Sequence, residues 1–161
     1  MTDSIHIRAA DPHDADAIHR FIAELAEFEK EPEAVEVTPA MLREQMERPD
    51  PPFECLIAEM GGRPAGFALY FTNYSTWRGR QGIYLEDVYV SPVHRRKGVA
   101  RALFRRVAEI AVERGAGRLE LSVLDWNKDA IRFYRALGAK PLDEWTTYRF
   151  TDGDLEAIVG G

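Results

Sequence analysis

Apolar positions recur along this chain in two rhythms, one repeating every second residue and one every three to four. Ser4 to Ala9 alternates as a short strand does. At Asp11-Pro12 the rhythm changes: Asp caps a helix and Pro fits its first position. Ile18, Phe21, Ile22, Leu25 and Phe28 then follow at helical spacing. Thr38-Pro39 repeats the start signal for a shorter helix through Met41, Leu42 and Met46, which Pro49, Pro51 and Pro52 end. Phe53–Glu59 and Pro64–Phe71 read as two strands around the turn Met60-Gly61-Gly62-Arg63. The polar stretch Asn73–Gln81 reads as a loop and Gly82–Ser91 as the next strand.

A long helix begins near Gly98 with Val99, Leu103, Val107 and Ile110 as its apolar stripe. Gly115 and Gly117 end it, and Arg118–Leu124 is another strand. Asn127 can cap a further helix that Gly138 stops. Two last strands are expected over Ala139–Trp145 and Thr147–Thr151. The order β-α-α-β-β-β-α-β-α-β-β makes a mixed α/β domain with about seven strands and four helices. Its crossover at Gly82–Leu124 should be parallel and right-handed.

The length, 161 residues, and the absence of repeats or long linkers lead us to expect one domain over 1–161. The hydrophobic and charged fractions, 45% and 30%, are those of a globular protein in water. No apolar run approaches the roughly 18 residues of a membrane span, and the start of the chain lacks the pattern of a signal peptide. Twenty-seven acidic and 21 basic residues give a net charge of −6, the wrong balance for a general nucleic-acid binder. Such a balance suits a cationic small molecule or simply solubility. Cys55 is the only cysteine, so no intrachain disulfide forms; this fits a reducing cytoplasm. Cys55 sits in an apolar run and reads as a small buried filler.

One short stretch changes the picture. His94-Arg95-Arg96-Lys97 runs from the Gly82–Ser91 strand directly into Gly98 and the long helix. The first N–H groups of a helix lack intrahelical partners, and its dipole favours a nearby anion. Gly98 and Ala100 leave the backbone open, while Arg95, Arg96, Lys97 and Arg101 add positive charge. This is either a phosphate site or an ordinary helix start with a solvated basic face. The glycine spacing is neither that of a Rossmann loop nor that of a P-loop.

Elsewhere, Phe133-Tyr134 reads as an aromatic pair on a helix. Glu86 and Asp87, adjacent in mid-strand, should face opposite ways, with Glu86 sharing the parity of Tyr84, Val88 and Val90. Carboxylates among Leu85 and Val88 are costly if buried alone, so one of them either lines a cleft or pairs with a base. Glu27, Glu29, Glu31 and Glu33 fit a solvated surface as well. His6, His13, His19 and His94 lack metal-ligand spacing, and no metal is expected.

Arg95-x-x-Gly98-x-Ala100, after a strand and opening a helix, resembles the acetyl-CoA signature of the GNAT acetyltransferases. Three longer strings narrow the likeness: Phe21–Glu29, Tyr84–Val90 and Trp126–Tyr134. With Gly66–Tyr70 they are similar to segments of the spermidine/spermine (diamine) N-acetyltransferase branch.

The resemblance implies direct acetyl transfer from acetyl-CoA to a primary amine, a small di- or polyamine first and a lysine-like or thialysine-like amino acid second. A catalytically silent acyl-CoA-binding module is the other reading. The pantetheine arm would lie along Val88, Tyr89 and Val90, and the pyrophosphate on Arg96, Lys97, Gly98, Val99, Ala100 and Arg101, with Arg95 a further coenzyme-binding residue. Asn127, Lys128, Asp129 and Ala130 would complete the coenzyme contacts. Tyr134 would act as the general acid, and Glu86 would help remove the amine proton. Phe28, Glu29, Glu86, Asp87, Glu144 and Trp145 would bind the acceptor, in a cytoplasmic homodimer.

Overall fold

A computed structural model describes residues 4–161. The chain forms two compact units, one ending at Ser122 and the other comprising Val123–Gly161. The first is built on a five-stranded sheet in the order β1-β2-β3-β4-β5. Its strands are β1 (Ile5–Ala9), β2 (Glu54–Met60), β3 (Arg63–Ser75), β4 (Arg80–Val90) and β5 (Leu119–Glu120). The first four pair antiparallel, and β5 pairs parallel with β4. The mixed, mostly antiparallel sheet is the expected one, with five strands among the described residues rather than seven.

Two cores lie on opposite faces of this sheet. On one face pack α1 (Ala15–Phe28) and α2 (Pro39–Met46), through Ile18, Phe21 and Leu42 against Ile57, Phe67, Leu69 and Tyr89. On the other lies α3 (Val99–Glu113), whose stripe Val99, Leu103, Val107 and Ile110 is buried against Leu56, Ala68, Tyr70, Ile83 and Leu85. Side chains at helical spacing thus meet side chains at every second strand position, as the apolar pattern requires.

Local signals explain the connections. Asp11 caps a single 3-10 turn, Pro12–Asp14, that leads into α1. Asp14 closes the capping box and takes a two-pronged bond from Arg8 at 2.8 Å on each side, which holds its carboxyl below the usual range. Thr38 caps α2 by accepting from the Met41 N–H. Gly61 and Gly62, at φ 57° and 75°, make the two-residue turn of the β2–β3 hairpin, where both positions need a positive φ. Cys55 is buried, and burial pushes its thiol far up, which leaves it inert as a nucleophile.

The stretch expected as a loop, Asn73–Gln81, is largely strand: β3 runs on to Ser75 and β4 starts at Arg80, so the two form one long hairpin. Its polar residues sit where the hairpin outruns the core, and polarity there reports exposure rather than a missing ladder. β5 is only two residues long, since its pairing with β4 covers Ile83 and Tyr84 alone.

The second unit holds α4 (Lys128–Ala136) and α5 (Asp152–Gly160). The two strands expected over Ala139–Thr151 are absent. The alternation of Tyr148 and Phe150 with polar residues looks like a strand, but a strand exists only where another pairs with it, and none does among the described residues. A local signal decides the end of the unit instead. The Thr151 and Asp154 side chains form a capping box, and α5 follows, a fifth helix where four were expected.

Candidate functional site

Two features of β4 and its surroundings carry chemistry. The first is the turn that leads into α3. After Val90 a 3-10 turn, Pro92–His94, is followed by Arg96 at φ 62° and Gly98 at φ 87°. Left-handed residues of this kind occur in anion-binding turns, where backbone N–H groups form a concavity. Gly98 serves as the cap of α3 and offers no side-chain acceptor. The Ala102 N–H makes a helical bond to the Gly98 carbonyl, and the N–H groups of Val99, Ala100 and Arg101 precede it at a 15-residue helix start. Arg96, Lys97 and Arg101 are exposed around them. This turn fits a diphosphate: open donors, a positive dipole end and no side chain in the way.

The second feature is a bulge. Leu69 pairs with Asp87 but Tyr70 pairs with Leu85, so Glu86 is an extra residue of β4. It shifts the parity of the strand. Ile83 and Leu85 share a face with Val88 and Val90, while Asp87 lies opposite Leu69 on the α1 and α2 face with Tyr89. The expected alternation, with Glu86 in step with Val88 and Val90, is therefore corrected.

The bulge gathers charge. Burial raises the Asp87 carboxyl to about 6, and the neighbouring Glu86 and Glu29 carboxylates add to the shift. Glu29, just past the end of α1, is raised by burial and by Glu86. None of the three forms an ion pair among the described residues. A cation entering here would relieve both the repulsion and the desolvation. Between bulge and turn, Val88–Val90 has β3 on one side, and no described strand pairs with its other side.

In the second unit, the Asn127 side chain accepts from the Ala130 N–H at 3.3 Å and so caps α4 as expected. Lys128, Asp129 and Ala130 form its first turn, where Asp129 pairs with Arg132. Phe133 and Tyr134 meet edge to face at 5.5 Å. Gly138, at φ 100°, ends the helix. Glu144 and Trp145 lie exposed in the segment that leads to α5.

The sequence profile of the Acetyltransferase (GNAT) family matches residues 17–139, which include the α3 turn, the bulge and α4. The chain belongs to the GNAT family. It is 40% identical to the thialysine N-epsilon-acetyltransferase of Bos taurus, over 97% of this chain and 98% of that protein. It is 33% identical to the human spermidine/spermine N(1)-acetyltransferase-like protein 1, over 95% of this chain and 23% of that protein. Among solved structures, an integron cassette protein from the mobile metagenome of V. cholerae shares the fold. The TM-score is 0.80 at 23% identity, with 98% of this chain and 99% of that one covered. GNAT enzymes are acetyl-CoA-dependent N-acetyltransferases.

Among the described residues, no group of His, Cys, Asp and Glu is arranged to hold a metal ion, and no helix is long and apolar enough to cross a membrane. Sequence reasoning missed the bulge, and with it the face that Asp87 takes. The only hint was the placing of two adjacent carboxylates inside an apolar strand.

Proposed function

We propose that this chain moves the acetyl group of acetyl-CoA directly to a primary amine on a small molecule that carries further positive charge. The observation that supports the acceptor class is the set of three carboxylates at the β4 bulge, without an ion pair among the described residues, with Asp87 and Glu29 raised by burial and by the neighbouring Glu86 charge. Acetyl-CoA supplies the activated thioester. The turn Arg95–Arg101 would hold its diphosphate through backbone N–H groups. The open side of Val88–Val90 would hold the amide-bearing arm as an added strand, and a strand N–H there would polarise the carbonyl. Asn127–Ala130 would complete the coenzyme contacts.

Glu86 would take the amine proton through water, and the Tyr134 hydroxyl would give a proton to the departing thiolate. Asp87 and Glu29 would hold the ammonium groups, with Phe28 along the alkyl chain and Glu144 and Trp145 as further acceptor contacts. Alignment of amine and carbonyl would supply much of the rate. Two acceptors fit. A di- or polyamine matches the carboxylates grouped at the bulge; a lysine-like or thialysine-like amino acid is supported by likeness to the bovine enzyme over nearly the whole chain. A single-domain cytoplasmic homodimer completes the reading, supported by the family resemblance and by the single buried cysteine.

Free-thiol release from acetyl-CoA, measured with putrescine, spermidine, lysine, thialysine and simple monoamines, tests this. The expected result is turnover with di- or polyamines or with the lysine analogues, well above that with monoamines. Inertness of all of these, with turnover on another amine class, would overturn the acceptor assignment.

A further inference from the structure

Arg95 is the leading residue of the acetyl-CoA signature, and its charge invites the assignment of a phosphate ligand. Its side chain is engaged elsewhere. Nε donates to the Val90 carbonyl at 3.0 Å, at the end of β4. The guanidinium lies 5.5 Å from the centre of the Tyr89 ring and 5.9 Å from that of the Phe28 ring. Both rings are within the range of cation–π attraction, which the planar guanidinium makes better than an ammonium does. Tyr89 belongs to the strand beside the bulge, and Phe28 is the last residue of α1, next to Glu29. One side chain therefore ties together the coenzyme turn, the strand edge and the helix end that presents the acceptor acid.

Tyr89 bears the marks of this arrangement. Burial raises its hydroxyl, the Glu24 carboxylate one turn before Phe28 raises it further, and Arg95 opposes both. The Glu24 Oε2 atom is buried without a hydrogen-bond partner, and at Tyr89 the Arg95 charge opposes the Glu24 carboxylate.

We propose that Arg95 is a positioning residue whose side chain couples the coenzyme turn to the acceptor side, while the anion is held by the backbone N–H groups and the exposed Arg96, Lys97 and Arg101. This rests on the acetyl-transfer reading above. Loss of a phosphate ligand would weaken coenzyme binding alone; loss of a strut would also move amine KM and depend on the Phe28 ring.

Arg95→Lys, Arg95→Gln and Phe28→Leu, with the Arg95→Gln/Phe28→Leu double variant, separate the two. Acetyl-CoA Kd by calorimetry, amine KM and kcat, and urea unfolding are measured on each. Arg95→Lys should fail to rescue: acetyl-CoA affinity falls and amine KM rises together, each by roughly fivefold to tenfold. In the Phe28→Leu background the loss of Arg95 should cost less, in amine KM and in unfolding midpoint alike. Wild-type values in Arg95→Lys, or weaker coenzyme binding with unchanged amine KM and additive unfolding, would overturn the proposal. A wild-type protein that neither binds acetyl-CoA nor acetylates any amine would sink the functional reading instead, and the unfolding cycle would still decide whether Arg95 and Phe28 are coupled.

Discussion

The turn that opens α3 and the bulge in β4 are separated by fewer than ten residues, and they solve opposite electrostatic problems. The turn offers backbone N–H groups, a helix dipole and exposed basic side chains to an anion. The bulge holds Glu86 and Asp87, with Glu29 beside them, and burial and the neighbouring Glu86 charge push the Asp87 and Glu29 carboxyls toward their neutral forms. One strand feeds both. On the proposed reading, a strand that leads to an anion-binding turn and kinks among carboxylates would bring a polyanionic coenzyme and a polycationic acceptor to the same edge while keeping their charges apart. The difference between them is also one of construction: the turn is local, made by consecutive residues, whereas the bulge exists only because β3 fixes the register of β4.

The largest effect is expected at the turn. Gly98→Val places a β-branched residue at φ 87°, a conformation that costs such residues about 1–3 kcal/mol. Acetyl-CoA Kd measured by calorimetry should rise by about tenfold or more, while the circular dichroism of the folded protein is kept.

At the bulge, Asp87→Asn separates stability from function. Asp87 binds its proton more tightly folded than unfolded, because its carboxyl is raised to about 6. As pH rises from about 4 to about 6 the native state therefore loses stability relative to the unfolded one. Replacing it with a neutral amide should raise the unfolding free energy at pH 7–8, by up to about 3 kcal/mol, and leave it unchanged near pH 4. The same variant should lower kcat/KM for the amine by about tenfold, as expected for a lost charge-assisted contact. It should leave acetyl-CoA binding alone. A loss of coenzyme affinity in Asp87→Asn would mean that the two regions are not separate.

Smaller effects calibrate these. Asn127→Ala removes the α4 cap and should cost about 1 kcal/mol in urea unfolding. Arg114→Met breaks the two-pronged surface pair with Glu54, far in sequence from either feature, and should cost no more than about 1 kcal/mol with unaltered kinetics.

What could be read from the sequence follows the same division. The start of α1, the cap of α2, the two-glycine hairpin turn, the apolar stripe of α3 and the glycine stop of α4 rest on contacts within a few residues, and all are found. The turn before α3, with Arg96 and Gly98 at positive φ, is local in the same way. The face that Asp87 takes, the short β5 and the fate of Ala139–Thr151 depend on which strand pairs with which, and no local pattern carries that. Two signals were present but weak: paired carboxylates within an apolar strand, and Thr151 three residues before Asp154, which start α5. The side chain of Arg95 shows the limit of a motif. Its position in the signature said where it lies, and only the packing shows that it faces Tyr89 and Phe28.

The central claim is that acidic residues at the bulge select an acceptor with more than one positive charge, independently of the coenzyme turn. Thiol-release rates for putrescine and butylamine, which share a four-carbon chain, compared in wild type and Glu29→Gln, test it most directly. Wild type should favour the diamine strongly in kcat/KM, and Glu29→Gln should cut that preference severalfold at unchanged acetyl-CoA KM. Equal rates for the two amines in wild type, or a preference that survives Glu29→Gln intact, would contradict it.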